Sequence, residues 1–301
     1  MPYINHMYAN LIFKFAFLLL LNLIATNLIS QNVKVSIRPN GKTIVVLRDT
    51  IQNDAGPIYI DTVINVQLPP QQPLQQNYLG KSLMTPTAWP AQSKGGVLFA
   101  GLGGTFPQLY TSLNDLIGVV GLSAGNPDRF VSATVMLNIN DVSKFRHFSS
   151  NIILYKNLPN GSALSAGGIH LLSSKQTDSD PSYYIVFSHA VQTLLSKRTG
   201  TSALSYSIGI GSGRFYDNSP WDIRKGKAAH GSAVFANVSL EITKWLNTNV
   251  EWSGTNLHAG VSVRPLGFLP SINMGLADIT RFSGQEIRFV ASINYSIYLW
   301  K

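Results

Sequence analysis

Six histidines, His6, His147, His170, His189, His230 and His258, are the side chains best suited to metal binding or proton transfer. None stands at a ligand spacing from another or from an acid, and zinc sites need clustered ligands. Each therefore reads as a loop or lumen-facing structural residue. Ser188 and His189 are adjacent, so in an extended strand they face opposite sides and cannot pair as nucleophile and base. A Ser–His dyad assembled across strands, giving a lipid hydrolase, is the distant third reading, since triads are recognised by geometry. No nucleophile motif supports it. The runs Gly101-Leu-Gly-Gly104 and Gly209-Ile-Gly-Ser-Gly213 lack the helix and the Gly-Lys-Ser/Thr ending of a phosphate loop. Their glycines suit a closed sheet that must relieve crowding and curve. With no cysteine, thiolate chemistry, cysteine metal sites and disulfides are excluded. The expectation is a chain that is not an enzyme and carries no cofactor.

Charge is the remaining chemistry. Glu241 and Glu251 fall on neighbouring extended segments, with Arg264 and Arg288 nearby in sequence and Lys156 as a further candidate. Lining one water path, Glu241, Glu251, Arg264 and Arg288 would bias ion passage, as charge rings do in pores. In a barrel of modest width they would instead pair within a filled interior. The net charge of +9 comes from scattered clusters: Lys144, Arg146 and His147; Lys197 and Arg198; Arg224, Lys225 and Lys227. Such clusters read as solvated loops rather than a nucleic-acid surface. Facing outward, Arg224, Lys225 and Lys227 would suit lipopolysaccharide phosphates.

The elements that must position these residues are extended. Leu204, Tyr206, Ile208 and Ile210 alternate with Ser205, Ser207, Gly209 and Gly211. Val234, Ala236, Val238, Leu240 and Ile242 alternate with Phe235, Asn237, Ser239, Glu241 and Thr243. An apolar face beside a face of small polar residues, strand after strand, is what a membrane β-barrel needs. Only 12% of residues are charged, about half the usual share. No apolar run after the leader reaches the roughly 20 residues of a spanning helix.

Alternation places about twelve strands, with ten or fourteen as alternatives, near 97–106, 115–123, 130–140, 149–157, 162–172, 182–193, 203–214, 231–243, 246–254, 256–265, 270–278 and 286–300. The first, second and fourth are weakest, and Ile152-Ile153-Leu154 does not alternate. With both barrel ends periplasmic, connections after odd strands point outward and should be long. The connection at 214–230 is the longest, with those at 141–149 and 173–181 also long. Trp245, Trp300, Phe130 and Tyr155 are expected at the periplasmic rim, and Trp252, Tyr183 and Phe215 at the outer rim, as an aromatic belt. A soluble β-sandwich also alternates, but its polar face would carry Lys and Glu rather than Ser, Asn, Gly and Thr.

Residues 11–25 form a short apolar core with Lys14 near its start, and Ser30 offers a small residue for cleavage before Gln31. This is the pattern of a secretory signal peptide over 1–30. Residues 31–96 read as a periplasmic extension or a small lumen-entering segment. They hold extended stretches at 33–37, 43–47 and 58–66, then a Pro/Gln-rich linker from Leu68 to Asn77. The barrel would occupy 97–301.

On this pattern the chain resembles Gram-negative outer-membrane β-barrel proteins, particularly those of Bacteroidota, whose mature chains often begin with Gln. The strand from Arg288 to Trp300 is similar to the barrel-assembly signal, an alternating strand with an aromatic end, although Lys301 follows the Trp. The resemblance implies an all-β, up-and-down antiparallel transmembrane barrel in the outer membrane. It implies outer-membrane lipid and the barrel-assembly machinery as partners. Function divides between a passive channel for small solutes and a non-conducting structural or surface-binding barrel that uses its outer loops.

Overall fold

The computed structural model describes residues 33–37, 43–53, 56–66, 73–77, 82–90, 95–107, 116–173, 181–264, 270–284 and 286–300. The expected leader at 1–30 and its cleavage site lie outside them. The chain divides into two compact units, Met1–Gln72 and Pro73–Lys301. In the first, β1 (Val33–Ile37), β2 (Thr43–Asn53) and β3 (Gly56–Val66) form an antiparallel three-stranded sheet in the order β1-β2-β3. β2 runs past the expected end at residue 47, because its pairing with β3 continues to Asn53↔Gly56.

The second unit opens with β4 (Gln75–Gln76). The wall begins with β5 (Gly95–Phe106), β6 (Ile117–Gly125), β7 (Ser132–Asp141), β8 (Arg146–Leu158), β9 (Ser162–Leu171) and β10 (Ser182–Ala190). After the short β11 (Thr201–Ser202) it continues through β12 (Leu204–Gly211), β13 (Val234–Thr243), β14 (Leu246–Trp252), β15 (Leu257–Val263), β16 (Ser271–Ala277) and β17 (Arg288–Trp300). Each wall strand pairs antiparallel with its sequence neighbour, and β17 closes on β5 from Phe289↔Phe106 to Trp300↔Gly96. The result is a closed 12-strand up-and-down antiparallel barrel, as the alternation predicts. Among the described residues no helix is long and apolar enough to cross a membrane.

Burial runs opposite to that of a water-soluble core. Val135, Leu154 and Ile208 are 51%, 50% and 53% exposed on the outer face. Ser132, Thr134, Ser188, Asn237, Ser239, Asn247 and Asn249 are buried inside. A monomer in water rarely displays contiguous apolar surface of this extent. β8 reads poorly because the apolar Ile153 lies on its inward face. Ser149, Ile153 and Tyr155 face in while Ile152 and Leu154 face out, with no change of parity, and the register shift of the β8–β9 ladder puts the extra residue on β9, between Gly168 and Leu171.

Two expectations about the rims are corrected. The β7–β8 connection is only 142–145, because β8 starts at Arg146. Tyr155 and Phe215 are buried, the first by its inward pleat position and the second because the chain after β12 turns into the barrel mouth. Phe130, Trp245 and Trp300, near the end of the barrel where β5 begins, are exposed, as is Tyr183 near the other.

Candidate functional site

The inner wall is built by cross-strand pairing of small polar side chains. Thr134 Oγ1 donates to Ser123 Oγ at 2.9 Å, Asn138 Nδ2 to Ser149 Oγ at 3.1 Å, and Asn273 Nδ2 to Ser292 Oγ at 3.2 Å. The Ser188 and Ser207 hydroxyls meet at 2.7 Å. Each pair is directly opposite in register, the position where facing side chains interact most closely.

Against this wall lie residues 73–77 and 82–90, which precede β5. The unit boundary after Gln72 assigns residues 73–90 to the barrel unit, where the sequence places the barrel's start at 97. β4 pairs parallel with β11, and Gln192 clamps Leu74 by accepting from its N–H at 2.8 Å and donating to its carbonyl at 3.0 Å. Asn77 Nδ2 donates to Glu241, which also accepts from Ser196 Oγ and, at 2.8 Å, from the Lys197 N–H. Further along, Leu83 and Thr85 donate their N–H groups to Glu251 at 2.7 and 2.8 Å, and Met84 at 3.1 Å. The Ser82 and Thr85 hydroxyls bond the same carboxylate. Ala88 N–H then donates to Ser188 Oγ at 2.9 Å. Ala88 and Trp89 finally pack into the interior's apolar cluster with Ala163, Tyr184, Val186, Ala190, Phe215 and Phe235.

Glu241, Glu251, Arg264 and Arg288 do not form a ring. Antiparallel pairing sets Glu241 opposite Asn247 and Glu251 opposite Asn237, at opposite ends of the β13–β14 ladder. Glu251 is directly opposite His258. Arg288 Nε donates to Asp278 Oδ2 at 2.6 Å, and both residues are buried. Asn256 Nδ2 donates to Asp278 Oδ1 at 2.9 Å, and the Asp278 N–H donates to His258 Nδ1 at 3.0 Å. Arg264 is half-buried at the end of β15, and its N–H donates to the Trp245 carbonyl at 2.9 Å. Lys156 shares the outward parity of Leu154 and donates to the Arg129 and Phe130 carbonyls at 3.1 and 3.0 Å. Asp278, His258 and Asn256 carry no sequence signal for this cluster, because two of the three lie in loops.

At the mouth, Phe215 stacks on Phe235 with ring centroids 4.5 Å apart, and Tyr184 meets both rings edge-on. Glycine makes this possible: a Cβ on Gly209 or Gly211 would occupy the Phe235 or Phe215 ring. The connection at 212–233 then reaches the β16–β17 connection. Ser219 caps a one-turn helix, Pro220–Arg224, by accepting from the Asp222 N–H at 3.1 Å. Asp222 accepts from Ser283 Oγ at 2.5 Å and pairs with Lys227 at 2.8 Å, while Lys227 also donates to the Phe282 carbonyl at 3.1 Å. Burial pushes the Asp222 carboxyl up, but the bonds from Lys227, Ser283 and Ser219 outweigh it and hold it below the ordinary carboxylate value. The expected basic cluster is thereby divided. Lys227 is tied to Asp222, whereas Arg224 and Lys225 lie over the Trp221 ring at 5.9 and 5.0 Å.

Burial inside the barrel is uneven. Inward-facing Ser262, Ser271, Asn273, Asn247 and Asn249 are sealed, whereas Thr105, Ser292 and Asn294 are half-exposed and Ser296 is exposed. Among the described residues a polar strip along β5 and β17 is thus open to water.

Two Ser–His contacts occur across strands: Ser162 Oγ to His189 Nδ1 at 2.8 Å and Ser149 Oγ to His170 Nδ1 at 3.2 Å. Among the described residues no carboxylate hydrogen-bonds either imidazole, so the orienting third member of a triad is missing. Ser188 and His189 do face opposite sides, Ser188 buried within and His189 half-exposed.

The class these features define is a closed antiparallel β-barrel with a polar, partly occupied interior. No protein-family model and no curated protein matches the chain. Among solved structures it is similar to the crystal structure of an outer membrane channel from Pseudomonas putida F1, at 10% identity and a TM-score of 0.38, over 71% of this chain and 98% of that one.

Proposed function

We propose that the chain is an integral outer-membrane barrel whose lumen is a passive channel for small solutes. The membrane part of the reading rests on the inverted wall, with Val135, Leu154 and Ile208 outside and Ser132, Ser188 and Asn237 inside. That arrangement is stable where hydrocarbon surrounds the barrel. The channel part rests on the half-exposed strip of Thr105, Ser292, Asn294 and Ser296. The leader at 1–30 would direct export, and β17 would present the aromatic end read by the assembly machinery. Arg224 and Lys225, exposed beside Trp221, suit lipopolysaccharide phosphates at the outer surface.

A second reading, a non-conducting structural or surface-binding barrel, is favoured by one observation: Trp89, Phe215, Phe235 and Tyr184 fill part of the cross-section. Planar-bilayer recording of the purified barrel separates the two. Discrete conductance steps support the channel, and membranes that stay silent at high protein density leave the second reading.

A further inference from the structure

We infer that Glu251 is a latch that holds the 82–85 turn inside the lumen, and that release of this turn widens the water path. The inference rests on the channel reading. On the β13–β14 ladder Glu251 stands where a pore would place a selectivity charge, yet the residue is only 1% exposed. Every described hydrogen bond to it comes from the inner segment: the N–H groups of Leu83, Met84 and Thr85 and the hydroxyls of Ser82 and Thr85. Successive N–H groups converging on one anion form a concave nest. Here the anion is a wall side chain and the nest belongs to the guest.

A second feature of the wall fits the same guest. Gly260 and Gly275 are directly opposite across β15 and β16, and a Cβ on either would crowd Leu83 Cδ1 as well as a carbonyl of the facing strand. The two glycines make a notch for that side chain. Around the notch the wall is polar, and Asn237 Nδ2, Asn247 Oδ1 and Ser262 Oγ are buried with no hydrogen-bond partner among the described residues. Such a surface gains hydrogen bonds from water once the turn leaves, so its uncovering is cheap. The other side of the segment differs, because Ala88 and Trp89 are packed among aromatic rings. The turn at 82–85 is thus the releasable tip, and 88–89 is its anchor.

Glu251→Ala removes the latch, and Gly260→Val fills the notch without touching the carboxylate. Hydrogen exchange followed by mass spectrometry reads the Leu83, Met84 and Thr85 amides in folded protein, with folding verified by heat-modifiable gel mobility. Exchange should accelerate at least about tenfold in each variant, the worth of one hydrogen bond to a charged group. Glu251→Gln, which keeps one acceptor oxygen, should fall between. Single-channel conductance should rise above wild type in both strong variants. Unchanged exchange in folded Glu251→Ala and Gly260→Val overturns the latch. Faster exchange with wild-type conductance overturns the gate and leaves the channel reading standing. Silence from wild type and variants alike removes the channel reading itself, and the gate with it.

Discussion

Replacing Ile208 by arginine tests the orientation of the wall at one atom-scale position. Ile208 lies mid-strand in β12, opposite Phe187 on one side and Ala236 on the other, and is 53% exposed on the outer face. In a bilayer that exposed half meets hydrocarbon near the midplane. Losing the isoleucine forfeits about 0.3–0.6 kcal/mol of insertion free energy. A midplane guanidinium on the lipid face of a barrel costs about 2–4 kcal/mol. Ile208→Arg should therefore destabilise the folded barrel by about 3 kcal/mol. Ser296→Arg, on the exposed inner strip near the end of β17, should stay within about 0.5 kcal/mol, as a solvent-facing substitution does. Guanidinium unfolding in lipid vesicles, followed by the fluorescence of the five tryptophans, measures both. A cost below about 0.5 kcal/mol for Ile208→Arg, or a cost equal to that of Ser296→Arg, refutes the lipid-facing assignment.

Three further perturbations have defined outcomes. Asp278→Ala leaves Arg288 buried without its counter-charge and should cost about 3–5 kcal/mol in the same unfolding assay; Asp278→Ala with Arg288→Met should recover most of it. Phe235→Ala removes the ring stacked on Phe215 and should cost about 3–5 kcal/mol. Because the Asp222 carboxyl titrates below its ordinary value, the tie from 212–233 to 283–284 is stabilising above the unfolded carboxylate pKa of about 4 and is lost as pH falls through the lower folded value. Proteolytic nicking of 212–233 should stay low from neutral pH down to about 5 and rise only below the ordinary carboxylate range, whereas Asp222→Ala should be nicked readily at neutral pH.

The wall is legible in the sequence because a strand with different solvents on its two faces must alternate, and β7 and β13 do so without a break. β8 hides its parity because Ile153 and Tyr155 put large apolar side chains on the inward face, so that Ile152, Ile153 and Leu154 run together. The interior is far less legible. Glu251 is visible as an inward charge, but its partners are mainly the N–H groups of Leu83, Met84 and Thr85. Nearly every residue carries such a donor, so no side-chain pattern announces the nest. Residues 82–90 likewise have no periodicity, since they belong to neither a strand with two faces nor a helix. Aromatic rings mislead for a related reason. Tyr155 and Phe215 suit a headgroup layer and a packed lumen equally, and only the pleat and the turn after β12 decide between them. Of the two arrangements open to the inward charges, a ring is ruled out by register: the tight connection at 244–245 fixes the β13–β14 pairing, which sets Glu241 and Glu251 toward opposite ends of the ladder.

Alkaline carbonate extraction of membranes from cells producing the full chain tests whether hydrocarbon covers the face bearing Val135, Leu154 and Ile208. The protein should stay in the pellet through the wash and be released only by detergent. Release into the carbonate supernatant would contradict that covering.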